Sequence, residues 1–289
     1  MKKASETINR LSAKLHYEYY RYIKSKNYRK RKIYAKDPDF IIEEFINQIN
    51  VPKDKILFLH VGLKEIKQIT GLSYSELTKS IVSTLNSNFS PKAIVAPTFT
   101  WGFITTGVFS VNFSKSETGI FSELFRKHHG NYRTPNAIQS FSILSEDSNV
   151  FKGLRHEDTF GRNGIYNFFK NNETWIIDLN TDTFRASPLH HIELSANVPY
   201  IDKPYIEFEG ILFDKNNNPQ HHLQRHGGTY IYDGKYTWNK EKIKTKLSKC
   251  GVLKESTYRG IKLSYLNNND LYEVMINMIN NNPYYLITL

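Results

Sequence analysis

The strongest structural signal lies in the six residues Ile56-Leu57-Phe58-Leu59-His60-Val61. A continuous apolar run of this length is typical of a strand that is covered on both faces. Ser73-Tyr74-Ser75-Glu76 then resembles a capping box and predicts a helix to about Asn86. A second buried strand is predicted at Ala93-Ile94-Val95-Ala96. Strand, helix and strand in this order predict a crossover unit and therefore an α/β sheet.

Other segments carry weaker signals of the same two kinds. Apolar residues at helical spacing predict further helices near residues 37–50, 120–128, 164–170, 239–249 and 270–279. Buried or alternating patterns predict further strands near residues 138–144, 173–179, 205–213, 229–232 and 252–263. We therefore predict a layered α/β/α fold with a mixed central sheet and an additional antiparallel portion towards the C-terminus.

The composition is that of a globular chain. Its 289 residues are 39% hydrophobic, which is enough for a substantial core. A single cysteine, Cys250, excludes an internal disulfide and favours a reducing compartment. Because Cys250 has no histidine near it in the sequence, covalent cysteine catalysis is disfavoured. No segment approaches the roughly 20 apolar residues of a membrane span, so we expect a cytoplasmic protein.

The net charge of +11 is concentrated at the N-terminus. Residues 1–36 contain 12 lysines and arginines against Glu6 and Glu18, while the remainder has 27 basic and 26 acidic residues. A nearly neutral body disfavours a globally basic nucleic-acid-binding protein. We predict a basic amphipathic helical arm at residues 1–36 and a single α/β domain at residues 37–289.

The predicted arm has one apolar stripe, because Ile8, Leu11, Leu15, Tyr19 and Tyr22 recur at spacings of three or four. Such a helix can lie on an anionic membrane surface, pack on a second copy of the chain or contact nucleic acid. It can equally pack on the body and leave its basic side in solvent. A peripheral position at the inner face of the membrane and a homodimer are therefore open alternatives.

A candidate catalytic group lies in Ser187-Pro188-Leu189-His190-His191-Ile192-Glu193. Serine favours the N-cap and proline the first turn, so a helix is predicted to start here. His190 and Glu193 then share one face, where the carboxylate can orient the imidazole as a general base. A histidine that only satisfies a buried hydrogen bond is the alternative. A metal site is disfavoured, because adjacent histidines on a helix point about 100° apart.

Six short motifs occur in a fixed order along the chain. They are Leu59-His60-Val61-Gly62, Pro97-Thr98-Phe99, Gly119 with Glu123 and Arg126, Arg133-Thr134, His156 with Phe160-Gly161, and the stretch from Ser187 to Glu193. Their order and spacing resemble those of the aminoglycoside 3-N-acetyltransferase family, from about Phe40 to the C-terminus. The resemblance implies an enzyme that transfers an acetyl group, or another acyl group, from its coenzyme A thioester to an amine, with no metal.

The resemblance also implies roles for individual residues. The implied catalytic residues are His190 as base and Glu193 as its orienting partner. For the oxyanion we predict donors at the start of this helix, either the N–H groups near Ser187 or the Ser187 hydroxyl. The implied cofactor-binding residues are His60, Val61, Gly62, Leu63, Pro97, Thr98, Arg133 and Thr134. On the acceptor side we predict Trp101, Glu123, Asp178 and His156, with Asp178 placed there because it ends the central strand.

Several positions depart from the family pattern. Val61-Gly62 replaces Ser-Ser, Asn136-Ala137 replaces His-Pro, and Asp178-Leu179-Asn180 replaces a glycine-containing turn. We expect Gly62 to keep backbone N–H groups accessible to the cofactor, and the other changes to line the acceptor side. The amine acceptor is then predicted to differ from the aminoglycosides.

We therefore expect an N-acyltransferase that acts on a nucleotide-linked or lipid-linked amino sugar in bacterial surface-polysaccharide biosynthesis. An aminoglycoside 3-N-acetyltransferase is the alternative with the same chemistry. A non-catalytic scaffold or nucleic-acid-binding protein on this fold is the alternative of a different class. A second histidine group, His221-His222 with His226, is predicted to lie in a solvated loop rather than at the acceptor site.

Overall fold

The computed structural model describes residues 34–181, 184–201, 205–227 and 236–288. Its helices are α1 (Ile42–Ile46), α2 (Leu63–Thr70), α3 (Tyr74–Phe89), α4 (Phe103–Thr106), α5 (Ile120–His128), α6 (Asn149–Lys152), α7 (Ile165–Asn171), α8 (Pro188–Ser195), α9 (Lys240–Lys249) and α10 (Asn268–Asn281). Its strands are β1 (Ile56–Val61), β2 (Ala93–Pro97), β3 (Val108–Ser110), β4 (Tyr132–Arg133), β5 (Phe141–Leu144), β6 (Thr174–Leu179), β7 (Tyr205–Phe213), β8 (Pro219–Gly227), β9 (Thr237–Trp238), β10 (Lys254–Tyr258), β11 (Ile261–Asn267) and β12 (Ile287–Thr288).

The central sheet has seven strands in the order β10-β11-β6-β1-β2-β5-β4. β1 runs parallel to both β2 and β6. The antiparallel strands β11 and β10 extend the sheet beyond β6, and β5 and β4 extend it beyond β2. The crossover unit predicted from the sequence is therefore the centre of a mixed sheet.

Helices cover both faces of this sheet. Leu57 and Leu59 pack with α1, α2, α3 and α5, whereas Ile56 and Phe58 pack with α7, α8, α9 and α10. All four side chains are at most 4% exposed, as the alternation of a strand buried on both faces requires. The predicted layered α/β/α class is confirmed.

Two smaller sheets lie beside the central one. One has the order β3-β7-β8, and its inner face packs Phe109, Phe208 and Leu212 into a third apolar cluster. The other pairs β9 with β12, so that Trp238 lies opposite Ile287 near the end of the chain. This second pair holds Trp238 in place beside the candidate site.

Two element predictions were wrong. The helix expected over residues 37–50 is only α1, because its apparent continuation closes as turns from Gln48 N–H to Phe45 and from Ile49 N–H to Ile46. The loop expected around His221 and His226 is the nine-residue strand β8, paired along its length with β7.

Two further expectations concern parts of the chain that the structure does not describe. The arm at residues 1–36 lies outside the described residues except for its last three, and the strand expected at 229–232 lies outside them entirely. Within the described residues, no helix combines the length and the apolar character needed to span a membrane.

Candidate active site

The carboxyl ends of β1, β2 and β6 meet at one edge of the central sheet. The chain passes from β1 to β2 on one side and later returns to β6 on the other, so β1 marks a switch point of the topology. Ligand sites of open α/β sheets form in the crevice at such points. His60 and Asp178 are register partners on β1 and β6 here, with His60 Nδ1 2.9 Å from Asp178 Oδ1.

Asp178 is committed to the interior rather than to the crevice. The residue is 4% exposed, and its Oδ2 accepts a hydrogen bond of 3.0 Å from the Arg185 N–H. Arg185 belongs to the loop that leads from β6 into α8. Both oxygens of Asp178 face groups of the protein, and its contact with the acceptor stays a prediction. Asp178 is a positioning residue that ties the end of β6 to the start of α8.

Helix α8 begins at Pro188, as predicted, but Ser187 does not cap it. Ser187 has helical dihedral angles of −53° and −29°, and its side chain makes no capping hydrogen bond. The backbone N–H groups of Leu189 and His190 are bonded to the carbonyls of Ala186 and Ser187. Those two N–H groups are therefore unavailable to an oxyanion. The Ser187 hydroxyl is a candidate donor at this helix start.

His190 and Glu193 face each other on α8. Their closest approach is 3.6 Å between Nδ1 and Oε2, which is longer than a hydrogen bond. Glu193 is wholly buried, and its Oε1 accepts hydrogen bonds from the Tyr200 hydroxyl at 2.7 Å and from Trp238 Nε1 at 2.8 Å. These two donors fix the carboxylate so that Oε2 is turned towards His190. The attraction favours the proton on Nδ1 and leaves Nε2 as the basic atom.

Aromatic rings enclose the His190 imidazole. Trp238 lies 4.3 Å away between ring centroids, and Phe160 meets it edge to face at 5.9 Å. The His190 side chain keeps 17% of its surface exposed, so one side is open to a ligand. His226 on β8 is close enough that the charge of His190 would act on it. Burial first, and then that charge, lower the pKa of His226 to about 3, so His226 is neutral at physiological pH.

We expect Trp238→Phe to lower kcat about tenfold. Phenylalanine keeps a ring against His190 but removes the N–H donor from Glu193, so the carboxylate loses one of the two hydrogen bonds that Tyr200 and Trp238 donate to it. The matched control is Trp175→Phe, because Trp175 packs against the opposite face of the sheet. A turnover number equal to that of the control would contradict the assigned role of the indole N–H.

Three buried histidines make the fold sensitive to acid. Burial lowers the pKa of His156 and His191 to about 4 and that of His226 to about 3. These folded-state values lie below the unfolded value near 6.5, so their stabilising effect is complete above pH 6.5 and is lost as the pH falls. Each should cost about 1.4 kcal/mol per pH unit below 6.5, or roughly 4 kcal/mol together.

The measurement is urea unfolding between pH 7.5 and 5. His191→Gln should reduce the slope of unfolding free energy against pH by about a third, since one of three sites is removed. A free energy that stays constant down to pH 5.5 would contradict the burial of these histidines as neutral groups.

Among the predicted cofactor-binding residues, the partly exposed ones lie where β1 ends and the next loop begins. Val61 and Gly62 are partly exposed, whereas His60 and Leu63 are at most 7% exposed. Contrary to our expectation, the Gly62 N–H is not accessible to the cofactor, because it donates to the Leu179 carbonyl at 2.8 Å. A Cβ at Gly62 would lie 2.1 Å from the Asn180 carbonyl oxygen. The change to glycine and the altered turn after β6 therefore fit each other sterically.

The other predicted cofactor residues are interior supports. Pro97, Thr98 and Thr134 are buried, and the Thr134 hydroxyl accepts from the Phe141 N–H. Arg133 is 5% exposed and stacks 4.7 Å from the Phe109 ring. Its two terminal nitrogens donate to Ser110, Val111, Ser114, Thr98, Thr100 and Ser140. Direct contact of these residues with the cofactor stays a prediction.

Two predicted acceptor residues are also used internally. Glu123 accepts hydrogen bonds from Arg126 and from the Ser116 N–H, and these outweigh its burial and lower its pKa to about 2. His156 is 6% exposed, and its Nε2 lies 2.9 Å from the Tyr132 hydroxyl. Both side chains are engaged within the fold, and their contact with the acceptor stays a prediction. Trp101 is partly exposed beside Phe99 and stays a predicted acceptor contact.

Asn136 and Ala137, which differ from the family pattern, do not line an acceptor surface. Asn136 is 1% exposed and donates to the His156 carbonyl at 2.7 Å. Ala137 is fully buried, and its N–H donates to Gln224 Oε1. The expectation that this pair faces the acceptor was therefore wrong.

Tyr200, Trp238 and His226 complete the site, and none was identified as a site residue from the sequence. Trp238 lies 45 positions from Glu193, and no spacing pattern links them. A signal did exist for His226, because His222, Gln224 and His226 alternate in a strand pattern along β8. Because these three residues are polar, their alternation along the strand does not appear as a hydrophobic pattern.

The mixed sheet and the paired histidine and glutamate define an α/β protein with a candidate general-base site. The family model described as aminoglycoside 3-N-acetyltransferase matches residues 58–280. The chain therefore belongs to the aminoglycoside 3-N-acetyltransferase family and is an N-acetyltransferase. No curated protein gives a significant sequence match.

Solved structures share this fold. The YokD protein from Bacillus subtilis is 13% identical with a TM-score of 0.63, covering 83% of this chain and 92% of its own. The AAC-IIIb binary complex with CoASH is 11% identical with a TM-score of 0.66, covering 83% and 95%. AAC-VIa bound to sisomicin is 12% identical with a TM-score of 0.63, covering 83% and 96%. At these identities the likeness shows the fold alone.

Proposed function

We propose that the protein transfers an acetyl group from acetyl-coenzyme A to the amine of an amino sugar, with His190 as the general base. The main support for this proposal is the arrangement of Glu193. This buried carboxylate is held by two donors on Oε1 and turns Oε2 towards His190 Nδ1. Such a pair favours the tautomer with its proton on Nδ1 and leaves Nε2 to accept the proton of the amine, as amine acylation requires.

The chemistry follows from that arrangement. The acceptor nitrogen attacks the thioester carbonyl, forming the C–N bond while its proton passes to His190 Nε2. Collapse of the tetrahedral intermediate breaks the C–S bond, and the departing thiolate takes up a proton to give coenzyme A. The Ser187 hydroxyl is the proposed donor to the oxyanion, since the N–H groups of Leu189 and His190 are already bonded.

Membership of an acetyltransferase family supports acetyl-coenzyme A as the donor, and a structural relative is a complex with CoASH. In this chain the partly exposed residues beside the crevice are Val61, Gly62 and Lys64, at the start of α2. We propose that this loop and the first turn of α2 hold the coenzyme A phosphates, with Lys64 supplying positive charge.

Two acceptor classes fit the same chemistry. We favour an amino sugar linked to a nucleotide or a lipid, as used in surface-polysaccharide biosynthesis. Its support is the changed turn after β6, where Asp178 and Asn180 reshape the loop that leads to His190. An aminoglycoside is the second candidate, because the family description names that class and AAC-VIa was solved with sisomicin bound.

A thermal shift with acetyl-coenzyme A, coenzyme A and duplex DNA tests this function against a non-catalytic or nucleic-acid-binding role. We expect either coenzyme A species at 100 times its Kd to stabilise the protein by about 2.7 kcal/mol, and DNA to give no shift. A shift with DNA that disappears in salt, together with none from coenzyme A, would contradict the enzyme proposal.

The basic arm suggests where the enzyme works. We propose that residues 1–36 attract the chain to an anionic inner leaflet, on the support of their charge and apolar stripe. Pairing of two copies through the same stripe is the alternative. Binding to anionic vesicles that weakens with salt would support the first, and a concentration-dependent dimer with no vesicle binding would support the second.

A further inference from the structure

Two cationic side chains flank the His190 site. Arg185 precedes Ser187 by two residues in the loop that leads into α8. Lys240 is the first residue of α9 and follows Trp238, whose ring lies against His190. Both cationic residues are exposed to solvent. They come from different segments that are both held to the site by observed contacts.

The contact that holds Arg185 is its backbone N–H bond to Asp178 Oδ2. That bond leaves the guanidinium outside the buried pair formed by Asp178 and His60. Lys240 is held because Trp238 donates to Glu193 and because the neighbouring Asn239 N–H donates to the Leu286 carbonyl. The backbones that carry the two cations are therefore held by hydrogen bonds within the fold.

Among the described residues, few negative charges balance this pair. Neither Arg185 nor Lys240 forms an ion pair with a carboxylate among the described residues. Desolvation, and then the charge of Arg185, lower the pKa of Lys240, while Asp178 opposes them. Asp178 is buried and already faces His60. An anion bound between the two side chains would remove their mutual repulsion.

We propose that Arg185 and Lys240 bind a phosphate-bearing group of the acceptor, such as the diphosphate that links an amino sugar to a nucleotide or a lipid. This inference rests on the proposed function, because it names the acceptor of that reaction. Guanidinium and ammonium groups are the protein's usual partners for phosphate oxygens. A polycationic aminoglycoside would meet like charge at the same place, so the pair selects against it.

A diphosphate also occurs in coenzyme A, and the position of the pair distinguishes the two sources. The proposed donor loop contacts the end of β6 through Gly62, but it leads into α2, which packs on the sheet face of Leu57 and Leu59. Arg185 leads into α8 and Lys240 begins α9, and both of these helices pack on the opposite face, that of Ile56 and Phe58. The acceptor and donor would then approach His190 from opposite faces of the sheet, as a direct transfer requires.

Calorimetric titration with inorganic pyrophosphate tests the proposal, in the absence and in the presence of saturating coenzyme A. We expect the intact protein to bind pyrophosphate under both conditions. Arg185→Gln combined with Lys240→Gln should raise the Kd of pyrophosphate at least about tenfold, and that of coenzyme A less than about threefold. The matched control is Lys53→Gln with Lys249→Gln, two exposed lysines away from the strand ends.

Three outcomes would overturn the inference. They are no pyrophosphate binding to the intact protein, displacement of pyrophosphate by coenzyme A, and an equal loss of coenzyme A affinity in the double variant. The last two outcomes would indicate that Arg185 and Lys240 bind coenzyme A rather than the acceptor. The proposed function has its own tests: it fails if coenzyme A does not bind or if His190 is dispensable for turnover. Pyrophosphate binding measures neither of these, so the two failures are distinguishable.

Discussion

Replacing Glu193 with glutamine is expected to lower kcat by about a thousandfold. The amide oxygen would take the place of Oε1 and accept from Tyr200 and Trp238, so the amide nitrogen would face His190 Nδ1. An NH₂ group in that position donates to Nδ1 and leaves the ring proton on Nε2. The imidazole is then in the tautomer that cannot accept the proton of the amine.

Glu241→Gln is the matched control, because Glu241 is an exposed carboxylate on α9 and is expected to change kcat by less than about twofold. Thermal unfolding of both variants separates a change of tautomer from a loss of folded protein. A Glu193→Gln enzyme that is folded and within about threefold of the normal kcat would show that Glu193 is only a buried structural group.

Replacing Arg133 with methionine is expected to lower the free energy of unfolding by about 3–5 kcal/mol. Methionine can fill the space of the arginine stem against Phe109, but it offers no donor. The carbonyls of Thr98, Val111 and Ser114 would lose their bonds in a region where Thr98 is fully buried. The largest effect on stability outside the catalytic helix is therefore expected here.

The control is Arg155→Met, since the Arg155 side chain is 63% exposed and pairs only with Glu157 at the surface. That variant should lose less than about 1 kcal/mol. Urea unfolding measures both, and a coenzyme A titration adds the decisive comparison. An Arg133→Met protein of normal stability but weakened coenzyme A binding would restore Arg133 to the cofactor site and refute its role as a support.

Local rules predicted much of the fold. The capping box at Ser73 forms as expected, because the Ser73 hydroxyl accepts from the Glu76 N–H while the Glu76 carboxylate accepts from the Ser73 N–H. Helix α5 and strand β7 have the predicted bounds, since each carries an unbroken apolar period of its own. Signals of this kind are read from neighbouring residues and need no tertiary information.

The site was predicted only where its chemistry is local. His190 and Glu193 lie on one helix, so their spacing revealed the pair. The roles of Arg133 and Glu123 could not be read in the same way, because a motif records a residue and not whether its polar atoms face a ligand or the interior. For Arg133 this depends on contacts that span from 7 to 35 positions of the sequence.

The most direct test of the account measures thiol release from acetyl-coenzyme A by the intact enzyme and by His190→Gln, with a panel of nucleotide-linked amino sugars and aminoglycosides. We expect turnover by the intact enzyme with at least one acceptor. The turnover number of His190→Gln should be at least about a hundredfold lower, at unchanged thermal stability. A His190→Gln enzyme that keeps turnover within about threefold of the intact enzyme would contradict it.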